Sequence, residues 1–416
     1  MVETNKKKII NDPVHGFISL NHPLIFDLIE HPYFQRLRNI KQLGLTYLVY
    51  PGATHSRLQH ALGAMFLLDM AISTLRTKGH VITDDEAEAA SAAILLHDIG
   101  HGPFSHALEY SIVKGVSHEE ISRCFMYKLN GEFNGRLNLA LQIFDNTYPK
   151  HFLHQLISGQ LDMDRMDYIK RDTFYTGVSE GTIGADRIIK MLNIVNDQLV
   201  VEAKGIYSIE NFLIARRLMY WQVYLHKTVV AAEQTLIKLL SRAKTLASKS
   251  VELKVSAAFE FFLYNNINSS HFSKDSNCFD ETVIDNFARL DDTDIMVAAK
   301  TWINHPDIIL SKLARMVADR HILSIELSNA PVPQERVNEL TIRFKQAHPE
   351  LAEYVDNFIF TDSVSINAYK PGNESINILY NNHQLVDIAQ ASDMLNANAL
   401  SNETKKFFIC YPKELR

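Results

Sequence analysis

The sequence of 416 residues predicts a mainly α-helical protein with an N-terminal β-hairpin and a smaller α+β part at the C-terminus. Two observations indicate this fold class. Apolar residues recur at helical spacing through most of residues 23–247, whereas most of the short β-prone runs lie in the first 20 residues and the last 60. Because the helical pattern loosens from about residue 250, we divide the chain into a helical core, 1–248, and a C-terminal region, 249–416.

Two hairpins are predicted in the core. The first joins β-prone runs at 7–10 and 17–20 through the turn-forming stretch NDPVHG at 11–16. The second joins Leu199–Val201 to Ile206–Tyr207 through Lys204 and Gly205. The first of these hairpins precedes all of the predicted helices, and the second lies between them.

The core helices follow from periodicity and from their end signals. Pro32 opens the second of two helices between Pro23 and Leu43, and another helix runs to about Arg76. The Ala-rich run 86–93, with its acidic first turn, predicts a largely buried helix that ends at His97 and Asp98. A long helix is predicted from about 209 to 247.

The C-terminal region shows a mixed pattern without recognisable chemistry. Its predicted helices lie at about 257–262, 282–290, 306–318 and 334–346, and its predicted strands at 357–361, 376–380 and 407–410. The role of this region is not evident from its residues.

Composition limits the classes of partner and compartment. The formal net charge of −6 and the pI near 6.3 argue against a general polyanion-binding surface, so a small partner is favoured over nucleic acid. Cys124, Cys278 and Cys410 are scattered and form no CxxC pair, which fits a reducing compartment. We find no signal peptide and no stretch suited to span a bilayer, and therefore expect a cytoplasmic protein without a membrane partner.

The densest chemistry lies at residues 97–106, which read HDIGHGPFSH. His97, Asp98, His101 and His106 fall within ten residues, and burying an imidazole beside a carboxylate is costly unless a metal or a hydrogen-bonding network satisfies both. A metal site is favoured over a satisfied structural cluster.

Further ligands come from two other helices. His60 lies in the first turn of its helix, where a lone His would usually be a packed core residue, but His97 and Asp98 supply the partners that a metal site needs. Residues 161–172 alternate charged and apolar residues, and a salt-bridged helix is the plainer interpretation of that stretch. Because the site needs another oxygen ligand, Asp164 or Asp167 is the expected fourth member.

Two neighbours of this cluster are candidates for the same pocket. Glu109 follows His106 by three residues, so a helix would set its carboxylate over that imidazole as an orienting partner. His118 follows Ser117, a helix-capping residue, and alone would be interpreted as a surface His.

Five ordered blocks resemble the HD-domain phosphohydrolases, and in particular the branch that contains deoxynucleoside triphosphate triphosphohydrolases. The blocks are DPVHG at 12–16, FQRLRNIKQLG at 34–44, YPGATHSR at 50–57, HDIGHGPFSH at 97–106 and DRMDY at 164–168. The resemblance covers roughly residues 6–245. It implies an HD-domain helical core and a metal bound by His60, His97, Asp98 and Asp164, and so selects Asp164 over Asp167. Iron, manganese, zinc and magnesium all suit such ligands, and a second magnesium ion could enter with the nucleotide.

The same resemblance implies roles for other positions, each matched residue by residue. Positions around the triphosphate correspond to Arg57, His101, His118, Arg165 and Arg216. A catalytic His that acts on the attacking water or the leaving oxygen corresponds to His106, paired with Glu109. Positions at the sugar 3′-hydroxyl correspond to Gln42, Tyr168 and Asp172, and those beside C2′ to Leu43 and Tyr224. An allosteric nucleotide site between subunits corresponds to Asn11, Val14, Glu30, Gln35 and Arg38.

Two departures from the animal enzyme stand out. Arg165 replaces a basic residue that is often Lys, which keeps the charge but changes its geometry. At the allosteric site, Phe17 aligns with a ring-stacking His and Glu30 with the acid that reads guanine.

The expected activity is hydrolysis of deoxynucleoside triphosphates to deoxynucleoside and triphosphate by a homo-oligomer, either a dimer or a tetramer. One rival is an HD-domain enzyme acting on another phosphate ester, such as a nucleotidase or a phosphodiesterase. The other is a nucleotide or nucleic-acid binding module with a structural metal.

Overall fold

The N-terminal hairpin is present in the computed structural model, which describes residues 8–104, 111–113, 115–272, 280–366, 369, 375–393 and 403–416. Strand β1 (Lys8–Asp12) pairs antiparallel with β2 (Gly16–Leu20). Ile18 and Leu20 on one face are buried in the core, while Ile9 and Phe17 on the other face are 61% and 70% exposed. The predicted hairpin is confirmed.

Helices make up most of the core, as the fold class requires. In chain order they are α1 (Pro23–Glu30), α2 (Pro32–Gln35), α3 (Arg57–Thr77), α4 (Asp84–Leu96), α5 (His118–Glu132), α6 (Asn138–Phe144), α7 (His151–Ile157), α8 (Met163–Thr176) and α9 (Ala185–Met191). The chain after α2 continues as a 3₁₀ helix, Arg36–Asn39, rather than as a longer α-helix. The mainly α fold class is confirmed.

Helix α3 is the central element of the core and packs against both α4 and α8. Ser56 and Gln59 form a capping box at its start, and most of its apolar residues are fully buried. The sequence suggested no stretch suited to span a bilayer, yet α3 is long and apolar enough by length and composition. Most of the apolar segment of α3 is buried by neighbouring elements. The apolar character of this helix is therefore explained by its place in the core.

The second predicted hairpin is wrong in its position. Strand β3 (Leu192–Val195) pairs with β4 (Gln198–Glu202), and Ile206 and Tyr207 instead begin helix α10 (Ile206–Met219). The turn is made by Asn196 and Asp197, both with positive φ, as a two-residue hairpin loop requires. The β-prone side chains at 206–207 belong to a helix because helical packing overrides local propensity.

The predicted long helix at 209–247 is interrupted. Helix α10 passes into a π-helical turn, Tyr220–Tyr224, and the chain resumes as α11 (Lys227–Ala247) after Leu225 and His226. No Gly or Pro marks this break in the sequence. Such turns are rare and are frequently found at functional sites.

The C-terminal region mixes helices with two small sheets. Its further helices are α12 (Ala257–Tyr264), α13 (Glu281–Phe287), α14 (Asp292–Trp302), α15 (Ile308–Ala318), α16 (Gln334–Ala347) and α17 (Ile388–Ala391). Its strands are β5 (Ser324–Ser328), β6 (Phe360–Ile366), β7 (Asn377–Leu379), β8 (Leu385–Asp387) and β9 (Thr404–Tyr411). The sequence did not predict α17, β5 or β8, which have five residues or fewer, nor α14, which has 11.

One sheet crosses the predicted domain boundary. Strands β5, β9 and β6 form an antiparallel sheet within the C-terminal region, whereas β7 pairs in parallel with β4 of the core, and β8 extends that sheet. Main-chain hydrogen bonds therefore join the helical core to the C-terminal region. The domain boundary at residue 248 stays a prediction.

Candidate active site

Three helices bring the predicted metal ligands together. His60 lies in the first turn of α3, His97 directly follows α4, and Asp164 lies in the first turn of α8. Asp164 Oδ1 is 3.0 Å from His60 Nε2 and 3.4 Å from His97 Nε2. Asp98 joins them, with Oδ1 3.3 Å from His97 Nε2 and Oδ2 3.9 Å from His60 Nε2. His60, His97 and Asp164 thus surround one point where a metal could bind, while Asp98 lies beside it and also groups with His101 and His118 in a second set that could hold a metal.

Hydrogen bonds on the far side of each ring direct both Nε2 atoms toward that point. His60 Nδ1 is 2.8 Å from Asp167 Oδ2, and His97 Nδ1 is 2.6 Å from the carbonyl oxygen of Ile94. His60 Nε2 is buried and makes no hydrogen bond within the described part of the chain, despite its nearness to Asp164. A ring nitrogen held this way, beside carboxylates, fits a divalent metal that prefers nitrogen and oxygen ligands.

The same groups hold protons when no metal is bound. Burial disfavours the charged form of His60, but the nearby carboxylates of Asp164 and Asp167 outweigh burial and raise the pKa of His60 to about 10. For His97 the negative charge of Asp98 and the contact with Asp164 overcome burial and raise the pKa to about 9. Both imidazoles are therefore protonated near neutral pH, and a metal has to displace those protons.

One side of the cluster carries Arg57 and two imidazoles, all of which can donate hydrogen bonds. Arg57 Nη1 is 2.6 Å from Asp98 Oδ2, and His101 Nε2 is 3.3 Å from Asp98 Oδ1. His101 stacks on His118 with ring centroids 3.8 Å apart. Burial and the positive charge of Arg57 hold the pKa of His101 well below its usual value, so its ring is neutral at pH 7. This side suits the oxygens of phosphate groups.

A second side brings together the residues predicted to bind a sugar. Asp172 is buried, with Oδ1 2.8 Å from His55 Nε2 and Oδ2 accepting a 2.7 Å hydrogen bond from the Tyr224 hydroxyl. Tyr168 meets Tyr224 edge to face at 6.0 Å. The Gln42 side-chain oxygen is buried with no hydrogen-bond partner among the described residues. Such an unpaired acceptor is available to a ligand hydroxyl.

An apolar wall adjoins these polar groups. Leu43 and Tyr224 both pack against a small cluster formed by Val178, Met219 and Val223, separate from the main core. The π-helical turn contributes Val223 and Tyr224 to this wall. Aliphatic and aromatic carbon therefore lines the site beside Asp172.

The two remaining predicted phosphate contacts differ in their surroundings. Arg165 is paired with Asp162 and with the carbonyl oxygen of Gly159, and its side chain is 26% exposed. Arg216 is buried near Tyr220, with its guanidinium 6.0 Å from the ring centroid. Arg165 thus turns toward the loop before α8, whereas Arg216 stays beside the tyrosine-rich turn.

The predicted allosteric residues gather at the hairpin and at α1 and α2, apart from the metal cluster. Glu30 accepts a 2.7 Å hydrogen bond from Lys8 on the exposed surface, and Arg38 donates to Gln35 at 2.5 Å. Asn11 is exposed, and the Val14 amide donates to Asp12. The predicted catalytic pair, His106 and Glu109, lies outside the described residues.

Sequence reasoning missed several buried groups around the cluster. His15, Asp12 and Arg171 join Asp167 behind His60, and His55 holds Asp172. The blocks DPVHG and YPGATHSR contain three of these residues. The signal that could have revealed them is the presence of several polar side chains in a turn that precedes a buried segment.

Comparisons with known proteins agree with this geometry. The HD domain family matches residues 57–172 and the HD associated region matches residues 183–258. The uncharacterized protein YwfO of Bacillus subtilis is 32% identical over 99% of this chain and 93% of its own length. The crystal structure of a phosphohydrolase from Bacteroides thetaiotaomicron has a TM-score of 0.93 and 55% identity, and the match covers 98% of this chain and 100% of that one.

A more distant relative has a named activity. The human deoxynucleoside triphosphate triphosphohydrolase SAMHD1 is 30% identical over 54% of this chain and 43% of its own length. A helical core with paired His and Asp ligands defines a class of hydrolases that act on phosphate esters with a divalent metal. This chain belongs to the HD-domain phosphohydrolase family.

We expect Asp164→Ala to lose most of the bound metal, because it removes the carboxylate that faces both imidazoles. Elemental analysis of purified protein tests this. The matched control is Asp186→Ala, since Asp186 is an exposed Asp in the first turn of α9. Full metal occupancy in the Asp164 variant would contradict the ligand assignment.

Metal affinity should rise with pH through the neutral range. The raised pKa values of His60 and His97 mean that protons leave when metal binds, so the dissociation constant should fall by on the order of tenfold per pH unit for each proton displaced. Calorimetric titration in two buffers of different ionisation enthalpy counts those protons. An affinity that does not change with pH, with no proton release, would mean that both rings are neutral before binding.

Proposed function

We propose that this protein hydrolyses deoxynucleoside triphosphates to a deoxynucleoside and intact triphosphate. The main support is that His60, His97 and Asp164, which could hold a metal, lie between a side with Arg57 and two stacked imidazoles and a side of hydroxyl, carboxylate and apolar groups. The activity in the name of the human relative, deoxynucleoside triphosphate triphosphohydrolase SAMHD1, supports the same substrate class.

His60, His97, Asp98 and Asp164 would hold one divalent metal, whether iron, manganese, zinc or magnesium, and a second magnesium could arrive with the nucleotide. When bound, the metal would polarise the α-phosphoryl oxygen and favour deprotonation of water. Asp167 and the Ile94 carbonyl keep the two imidazoles oriented for this role.

The chain's own groups neutralise charge and move the proton. Arg57 and the stacked His101 and His118 would donate to phosphate oxygens, and we assign Arg165 and Arg216 as further contacts to the triphosphate. Water attacks the α-phosphorus, the bond from that phosphorus to the 5′-oxygen breaks, and the 5′-oxygen takes a proton. We assign the proton transfers to His106, with Glu109 as its orienting partner.

The sugar side accounts for a preference for deoxyribose. Gln42, Tyr168 and Asp172 would hold the 3′-hydroxyl, which would donate its one proton to either the free Gln42 oxygen or the buried Asp172 carboxylate and accept a hydrogen bond from the Tyr168 hydroxyl. Leu43 and Tyr224 would then face C2′, where a ribose hydroxyl would meet apolar carbon and lose its hydration.

Product analysis separates this proposal from its rivals. Purified protein is incubated with deoxynucleoside and ribonucleoside triphosphates and with monophosphates, each with one divalent metal at a time. Release of triphosphate supports the proposal, whereas pyrophosphate or orthophosphate indicates another phosphohydrolase activity. No turnover with any metal would favour a binding module with a structural metal.

Truncating Tyr224 should weaken discrimination against ribose. We expect Tyr224→Ala to reduce a preference for dGTP over GTP from about 100-fold to about tenfold, because the wall beside C2′ is removed. The measurement is kcat/KM for both nucleotides.

Two variants control for the lost hydroxyl. Tyr224→Phe keeps the ring but not the hydrogen bond to Asp172, so it should keep most of the discrimination. Asp172→Ala should lower kcat/KM for dGTP and GTP by the same factor. Equal kcat/KM for dGTP and GTP in the wild-type protein would remove the deoxynucleotide assignment.

We also propose a homo-oligomer, a dimer or tetramer, with an allosteric nucleotide site at Asn11, Val14, Glu30, Gln35 and Arg38. The exposed apolar pair Ile9 and Phe17 on the outer face of the hairpin supports an interface there. Light scattering should show a multiple of 47.4 kDa that falls in the Ile9→Ser/Phe17→Ser variant. A monomer at micromolar concentration, with and without nucleotide, would contradict this.

A further inference from the structure

The turn of the N-terminal hairpin is held in one conformation by Asp12. Its Oδ1 atom accepts hydrogen bonds from the amides of Val14 and His15, both at 2.9 Å, and its Oδ2 accepts one from Arg171 at 2.7 Å. This arrangement directs the His15 side chain inward, where it is 1% exposed. An imidazole from the edge of the hairpin therefore reaches the buried core.

The His15 ring ends on the carboxylate that orients His60. His15 Nε2 is 2.6 Å from Asp167 Oδ1, and Asp167 Oδ2 is 2.8 Å from His60 Nδ1. Arg171 contacts both oxygens of Asp167, at 2.9 and 3.0 Å. The side chains of His15, Asp167, Arg171 and His60 are all at most 1% exposed, so water does not substitute for any of these contacts.

The backbone of α3 restricts the same carboxylate from another direction. A methyl group on Gly63 would overlap Asp167 Oδ1 and the Arg171 guanidinium, so α3 and α8 approach as closely as these side chains allow. Asp167 is thus limited on one side by backbone and fixed on the other by His15. Its orientation sets the direction of the His60 ring.

We propose that His15 is a positioning residue for the metal centre, acting through Asp167 on His60. Without the His15 donor, Asp167 Oδ1 loses one of its two partners, and the carboxylate is freer to turn away from His60 Nδ1. Loss of an orienting partner that contacts a ligating His directly costs about 10- to 100-fold in metal affinity, so loss of His15, which acts one contact further out through Asp167, is expected at the lower end, about tenfold. The inference rests on the metal ligands of the proposed function and is independent of the substrate.

The test compares His15→Leu with His15→Gln in the full-length, metal-free protein. Calorimetric titration with Mn²⁺ should give a dissociation constant about tenfold higher for His15→Leu. His15→Gln should remain within about threefold of the wild type, since its amide keeps a donor at similar reach. Ser19→Ala is the matched control, because Ser19 is exposed in the same hairpin.

Thermal unfolding separates positioning from general stability. A positioning role lowers the stabilisation that saturating Mn²⁺ adds, whereas a merely structural role lowers the midpoint of the metal-free and metal-bound proteins alike. If His15→Leu does not fold, His15→Asn replaces it, because the shorter amide keeps a polar group but cannot reach Asp167.

Three results would decide the matter. Equal Mn²⁺ affinity in the wild type and in the variants that lack a donor to Asp167 would overturn the proposal. Absence of Mn²⁺ binding by the wild type would also overturn it and would remove the assignment of the metal ligands. Weakened Mn²⁺ binding in His15→Leu with rescue in His15→Gln supports it, even if deoxynucleoside triphosphates are not hydrolysed and the proposed substrate is wrong.

Discussion

The buried carboxylate of Asp167 holds together three parts of the chain that are far apart in sequence. It contacts His15 of the hairpin turn, His60 of α3 and Arg171 of its own helix. A carboxylate removed from water is costly unless every oxygen is paired, and here each oxygen has two partners. The close approach of α3 and α8 at Gly63 and the direction of the His60 ring follow from this network.

The surroundings of the cluster differ from one side to the other. Asp98 is shared between the ligand cluster and a side that contains Arg57 and His101, whereas Asp172 is held by His55 and Tyr224 on the other side. Arg57 and two stacked imidazoles lie on one side, whereas a tyrosine hydroxyl, apolar carbon and the paired carboxylate of Asp172 lie on the other. A ligand with an anionic end and an uncharged end would therefore have one favoured orientation, since its two ends meet unlike surfaces.

Periodicity and end signals predicted most of the fold, because amphipathic helices and the Asp-Pro turn leave local signals. The errors occurred where packing decided the outcome. Ile206 and Tyr207 look β-prone but lie in a helix, and the π-helical turn at Tyr220 has no Gly or Pro to announce it. His60, His97 and Asp98 could be proposed from residue chemistry, whereas choosing Asp164 depended on the family resemblance. The contact between His15 and Asp167 spans 152 positions, and no local pattern predicts such a pair.

The sheet shared by the core and the C-terminal region has a consequence for how this fold can diverge. Strand β4 has β3 on one side and β7 from the C-terminal region on the other, so among the described residues its second edge pairs with that late segment. An uncovered strand edge invites pairing with other chains. A protein that kept the helical core but exchanged its C-terminal half would have to cover this edge by other means, for example with a different segment or a neighbouring subunit. Divergence of the two halves is thus constrained at one strand.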